Sequence, residues 1–199
     1  RVAMPASSSA ADVAMLAGWN LVSLPVLSSD FRKAVLFPFS SSPAFAYEGS
    51  YVIKDTLRIG AGYWMKFRTA QSVPLAGGTL SAETLAVAAG WNMIGSLSHP
   101  IALGSLSPVP PVARLSSVFG YGGSLGYVVS DSIRPGKGYW IKVNQPGSVV
   151  LSTAPGEVPV ASPMTHSDMA AATGVVRFTI GDGAPKELPA FMASPTSRI

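Results

Sequence analysis

"GAGYWMKF" (residues 60–67) returns as "GKGYWIKV" (residues 136–143), and the fold turns on how these two copies are read. In an extended strand successive side chains project to opposite faces. Tyr63, Met65 and Phe67 then share one face, and Trp64, Lys66 and Arg68 the other. The second copy sets Tyr139, Ile141 and Val143 against Trp140, Lys142 and Asn144. The tyrosine face is expected to be core. Each tryptophan shares its face with long polar side chains, so Trp64, Lys66, Arg68, Trp140, Lys142 and Asn144 form a candidate ligand or partner surface. Packing between strands or domains is the simpler role for both indoles, because tryptophan buries a large apolar area.

The similarity extends well beyond these octets. "AGWNLVSLPV" (17–26) recurs as "AGWNMIGSLS" (89–98), an offset of 72, and residues 51–75 align without gaps to 127–151, an offset of 76. Twelve of those 25 positions are identical. Phe45-Ala46-Tyr47 matches Phe119-Gly120-Tyr121 at the intermediate offset of 74, so the added residues fall in loops. An internal repeat on this scale is the first thing to settle about a chain. It predicts copies at 13–80 and 85–153, joined by a short, partly strand-like connector. Residues 1–12 are left as an N-terminal extension. Residues 154–199 read as a linker and extended C-terminal segment with one strand at about 173–180.

In the GWN segments, Trp19 and Leu21 face one way and Val22 and Leu24 the other, so both faces are apolar. Such a strand is expected inside a sheet covered on both sides. Asn20 and Asn92 are expected to hydrogen-bond nearby backbone and hold a turn or bulge. "FAYEGSYVIKD" reads as a hairpin, and "SDFRKAVLF" (29–37) as a short helix capped by Ser29 or Asp30. The fold class that follows is all-β: two tandem, mostly antiparallel, β-sandwich-like domains from an internal duplication, each of about five to seven strands. The structural signature comprises Gly18, Trp19, Asn20, Gly62 and Tyr63, with Gly90, Trp91, Asn92, Gly138 and Tyr139 in the second copy.

Composition narrows the functions. Of 199 residues 48% are apolar and 12% charged, while 20 Gly and 17 Pro punctuate short apolar runs. That is enough apolar material for cores, in a pattern favouring strands and turns. The net charge of +4 (14 basic against 10 acidic) is scattered, so neither a nucleic-acid stripe nor a basic membrane patch is expected. No apolar run is long enough for a spanning helix. Cysteine is absent, which removes disulfides and thiol chemistry without fixing the compartment. The chain starts at Arg1, as expected of a processed product or a fragment.

Catalytic sets are scarce. His99 and His166 have no matching partner nearby in sequence and are expected at the surface. Asp55 and Asp131 recur with Arg58 and Arg134 as Asp-x-x-Arg, a pattern that turn capping and a local ion pair explain. The Gly-x-Gly pairs precede strands rather than helices and lack the third glycine of a phosphate loop. No enzyme activity, cofactor or metal site is therefore expected.

The combination of "GWNLVSLPV" with "GAGYWMKF", and of "GWNMIGSLS" with "IRPGKGYWIKV", resembles a GWN…GYW tandem β repeat of large bacterial and archaeal secreted and cell-surface proteins. The two copies cover about 70% of the chain, and Ile59 departs from the proline usual at its position. The resemblance implies an accessory or stalk module beside adhesive, enzymatic or anchoring domains, and it carries no catalytic residues. The expectation is an extracellular, non-catalytic structural, adhesion or assembly module. Its partners would be proteins or neighbouring domains of one surface assembly, and one variant self-associates by strand addition through 173–180. The alternatives are a carbohydrate-binding module using Trp64 and Trp140 and an accessory region of a larger secreted enzyme.

Overall fold

Gly18 and Gly90 adopt φ of +92° and +96°, a left-handed conformation that favours glycine. Each sharply separates an outer strand from the GWN strand that follows it. The computed structural model describes residues 8–111, 113 and 115–153, together with the backbone of 175–179 and 185–189. The first half holds β1 (Ser8–Met15), β2 (Gly18–Val22), the one-turn helix α1 (Lys33–Leu36), β3 (Ala44–Tyr47), β4 (Tyr51–Lys54), β5 (Tyr63–Phe67) and β6 (Gln71–Gly78). The second half continues through β7 (Ala82–Val87), β8 (Gly90–Ile94), β9 (Ile101–Ala102), β10 (Ser107–Val109), β11 (Phe119–Tyr121), β12 (Tyr127–Val129), β13 (Ser132–Ile133), β14 (Tyr139–Val143) and β15 (Gly147–Ser152).

Both halves use the same sheets. β2-β5-β3-β4 is matched strand for strand by β8-β14-β11-β12, and the β1-β6 pair by β7-β15, to which β10 adds an edge. All of these pairings are antiparallel, and the register repeats. Leu21 lies opposite Trp64 and Met93 opposite Trp140; Phe45 and Phe119 flank the same two tryptophans. Within each half the alternation sends one face of the four-stranded sheet onto the smaller sheet. Val13, Met15, Val73 and Leu75 pack there with Tyr63, Met65 and Phe67. Val87, Val149 and Leu151 pack likewise with Tyr139, Ile141 and Val143. The tyrosine faces are core, as alternation requires.

The structure refines four expectations. β1 starts at Ser8 and pairs along its length with β6, so residues 8–12 of the expected 1–12 extension belong to the first sheet. The two halves lie within one compact unit, joined by a second buried layer. β2 and β8 are buried on both faces as expected, yet they stand at the ends of their sheets rather than inside them. Backbone from the opposite half covers those ends instead. α1 spans a single turn with Arg32 as its N-cap residue; Asp30 instead accepts the backbone N–H of Arg32 at 2.9 Å, fixing the turn before it.

The C-terminal unit is described separately. The strand expected at 173–180 is found as β16 (Val175–Thr179), but it pairs antiparallel with β17 (Pro185–Pro189) of the same chain. It is one arm of a two-stranded ribbon.

Candidate functional site

The tryptophan faces of the two four-stranded sheets meet. Trp64 and Trp140 are both 0% exposed, and with Leu21, Phe45, Met93 and Phe119 they lie outside the two half-cores. The Trp64 indole stands edge-on to Trp19 of its own half at 6.3 Å, and to Tyr121 and Tyr127 of the other at 4.8 and 6.2 Å. Trp140 repeats this with Trp91 at 6.5 Å and Tyr47 at 5.1 Å. Edge-to-face geometry of this kind adds about 0.5–1.5 kcal/mol per pair beyond the area buried. Burial raises the pKa of Tyr51 and Tyr127 far above the ordinary value of 10.0. Contact of each hydroxyl with the indole of its own half, Trp64 or Trp140, offsets part of that rise while falling short of full hydrogen-bond geometry.

Both indoles thus take the packing role, the simpler one for them, and neither is exposed for the alternative of sugar stacking. Trp64 and Trp140 face the opposite half because aromatic area is worth more buried there than beside lysine in water. Of the six residues assigned to that surface, Lys66, Arg68 and Asn144 are exposed and Lys142 is half-buried. The lysines turn back onto half-buried rings: Lys66 Nζ lies 5.9 Å from the Trp19 ring centroid and Lys142 Nζ 5.9 Å from that of Trp91.

Each signature residue has a defined structural task. Asn20 accepts the Leu16 N–H at 2.9 Å and donates to the Leu16 and Gly18 carbonyls at 2.8 and 3.1 Å. Asn92 does the same with Ala88 and Gly90 at 3.0, 2.9 and 3.0 Å. Each asparagine thus clamps the turn around its preceding glycine. The Tyr63 and Tyr139 hydroxyls reach back to accept the N–H of Arg58 and Arg134 at 2.7 and 2.8 Å, closing the connector that leads into the strand.

The Gly-x-Gly pairs cross between halves. Gly138 donates to the Leu21 carbonyl at 2.9 Å, Ser23 to that of Gly136 at 3.0 Å, and Gly95 to that of Gly60 at 2.5 Å. A Cβ at Gly62 would stand 2.8 Å from the Ile94 carbonyl oxygen, and one at Gly138 2.9 Å from that of Val22. Glycine is required there because backbone meets backbone. Two buried serines lock the crossing. The Gly136 N–H donates to Ser96 Oγ at 2.8 Å, and Ser23 Oγ donates to the Lys137 carbonyl at 2.7 Å. The 2.8 Å contact between the two hydroxyls is therefore donated by Ser96.

Several of these partners escaped the sequence reading. Tyr47, Tyr51, Tyr121 and Tyr127 build the layer between the halves, and their recurrence at matched repeat positions was the available signal. Ser23 and Ser96 carried none, since they are not equivalent in the repeat. Asp131 and Arg134 form the expected local ion pair at 3.9 Å, both exposed. His99 is exposed, and His166 lies outside the described residues. Among the described residues no three His, Asp or Glu side chains converge on a metal-sized site. The open space at this junction is a cleft of about 460 Å³ between the Gly60–Gly62 connector, the β3–β4 hairpin and β7–β8. Comparison with family models, with curated proteins and with solved structures returns no match.

Proposed function

We propose that this chain is a non-catalytic structural and assembly module of an extracellular surface protein. The observation that carries the reading is the use made of the repeated motif. Its asparagines and tyrosines fix the turns and connectors within each half, while its Gly-x-Gly pairs and Trp64 and Trp140 join the two halves into a single body. A module whose most distinctive residues all serve rigidity is suited to holding neighbouring domains apart and to presenting outer surfaces to protein partners. The extracellular placement draws on the resemblance to secreted and cell-surface GWN…GYW repeats.

Two measurements test this. Under force, residues 8–153 are expected to unfold in a single step, and two separate steps would overturn the reading as one rigid module. An amine-reactive label that does not cross membranes is expected to modify Lys66 on intact cells making the protein. Modification only after lysis would overturn the location.

A further inference from the structure

The two places where a Gly-x-Gly connector passes the outer strand of the opposite half are equivalent by repeat but are filled differently. Gly136 packs against Val13 of β1, and Gly60 against Leu85 of β7, its counterpart at the 72-residue offset. Ala14 pairs with Ser72 as Ala86 pairs with Ser148, so their carbonyls are equivalently oriented. At the first crossing, Lys137 runs along the connector and its Nζ donates to the Ala14 carbonyl oxygen. Burial lowers the pKa of this lysine. At the second crossing the residue in the same place is Ala61, and the 460 Å³ cleft opens there, with Ala61 and Ala86 in its wall.

We propose that this cleft receives a lysine side chain from a protein partner, its ammonium donating to the Ala86 carbonyl oxygen as Lys137 donates to that of Ala14. Lys137 is the chain's own example of the ligand. Two of the charged residues lining the cleft, Lys54 and Glu48, pair with each other at 2.7 Å, and the charge that distinguishes this crossing from the filled one is an acid. Glu83 lines the cleft where the filled crossing has Ala11, and its γ-carbon lies 3.0 Å from where a Cβ on Gly60 would stand. Arg58 at the mouth is no obstacle, because Arg134 occupies the equivalent position beside Lys137. The form of the partner follows from the walls. β4 and β7 are each the outer strand of their sheet, and both border the cleft. An extended segment can lie along such an edge with one side chain turned inward. That the lysine belongs to a protein rests on the assembly reading above; the preference for an ammonium does not.

The probe is the blocked tripeptide Ala-Lys-Ala, followed through backbone amide shifts of the isotope-labelled full chain. Saturable shifts are expected at Gly60, Ala61 and Ala86. Nε-acetylation of the peptide lysine should weaken binding at least about tenfold, the weight of losing one charge-assisted hydrogen bond. Ala61→Lys should abolish binding by supplying its own lysine, while Lys137→Ala should open a second, equivalent site. Absence of shifts at those amides, equal binding of the acetylated peptide, or unchanged binding to folded A61K would each overturn the proposal. If A61K does not fold, K137A decides, and a folded K137A that still shows a single site overturns it. Butylamine binding as tightly as the peptide would overturn the protein partner. None of these failures alters the single-step unfolding that tests the rigid module.

Discussion

Trp64 of the first half meets Tyr121 of the second edge to face, with ring centroids 4.8 Å apart and planes at 81°. The contact joins a residue of one repeat copy to a residue of the other, and Trp140 with Tyr47 repeats it at 5.1 Å and 72°. A layer of this kind cannot form in either half alone. Among the described residues nothing else covers the tryptophan face of either four-stranded sheet, so the stability of each half depends on the presence of the other.

Trp64→Ala and Trp140→Ala are each expected to cost about 3–5 kcal/mol, the range for removing a large buried aromatic side chain. Because the layer is shared, calorimetry should still record one transition, shifted to lower temperature. Retention of the wild-type melting temperature would contradict the buried positions of the indoles.

The serine pair makes a sharper test. Ser23→Ala removes the acceptor of the Ser96 N–H and the donor to the Lys137 carbonyl, and Ser96→Ala removes the acceptor of the Gly136 N–H. Each should cost about 1–3 kcal/mol in urea unfolding, the penalty for leaving a buried polar group without a partner. The double variant should lose less than the sum of the singles, since they share one hydrogen bond. Simple additivity would show that the two hydroxyls do not interact.

Glycine substitutions separate close approach from chance composition. Gly138→Ala places a Cβ against the Val22 carbonyl and the Leu21 side chain and should destabilise by about 1–3 kcal/mol. Gly104 has no atom within 4 Å of a built Cβ and no positive φ, so Gly104→Ala should stay within about 0.5 kcal/mol of the parent. Equal effects at the two positions in thermal unfolding would refute the backbone crossing.

Alkaline pH should weaken the fold. Burial raises the pKa of Tyr51 and Tyr127, and to a lesser degree of Tyr63, Tyr121 and Tyr139, above the ordinary 10.0. Between the unfolded and folded values the unfolded chain binds fewer protons, so stability falls as pH rises. The tyrosine contribution is complete below about pH 10 and is lost above it. Melting temperature should decline steeply beyond that point, and phenolate absorbance of the buried rings should rise only with unfolding. Early titration of every tyrosine in the folded protein would refute their burial.

Much of the fold was legible because period-two alternation and an internal repeat are local properties of the chain. The hairpin of Phe45 and Ile53, the core faces of Tyr63 and Tyr139, and the turn role of Asn20 and Asn92 all follow from neighbouring residues. The α1 cap and the strand content of residues 8–12 were misread. A single helical turn can begin beside several candidate caps, and β1 is a strand because β6 pairs with it.

The sequence by itself determined that this is a twice-repeated antiparallel β chain with its tyrosines turned inward, since side-chain spacing decides which residues share a face of a strand. Only the tertiary structure decided the destination of the opposite face. Trp64 and Trp140 alternate with lysine, which suits a wet surface as well as a seam, and the choice depends on what lies across from them. The second half places Tyr121 and Tyr127 there, and the free energy of burying aromatic area settles the matter. The same packing gives the Gly-x-Gly pairs their purpose and, through Ala61 where the other copy has Lys137, leaves one of two equivalent crossings open.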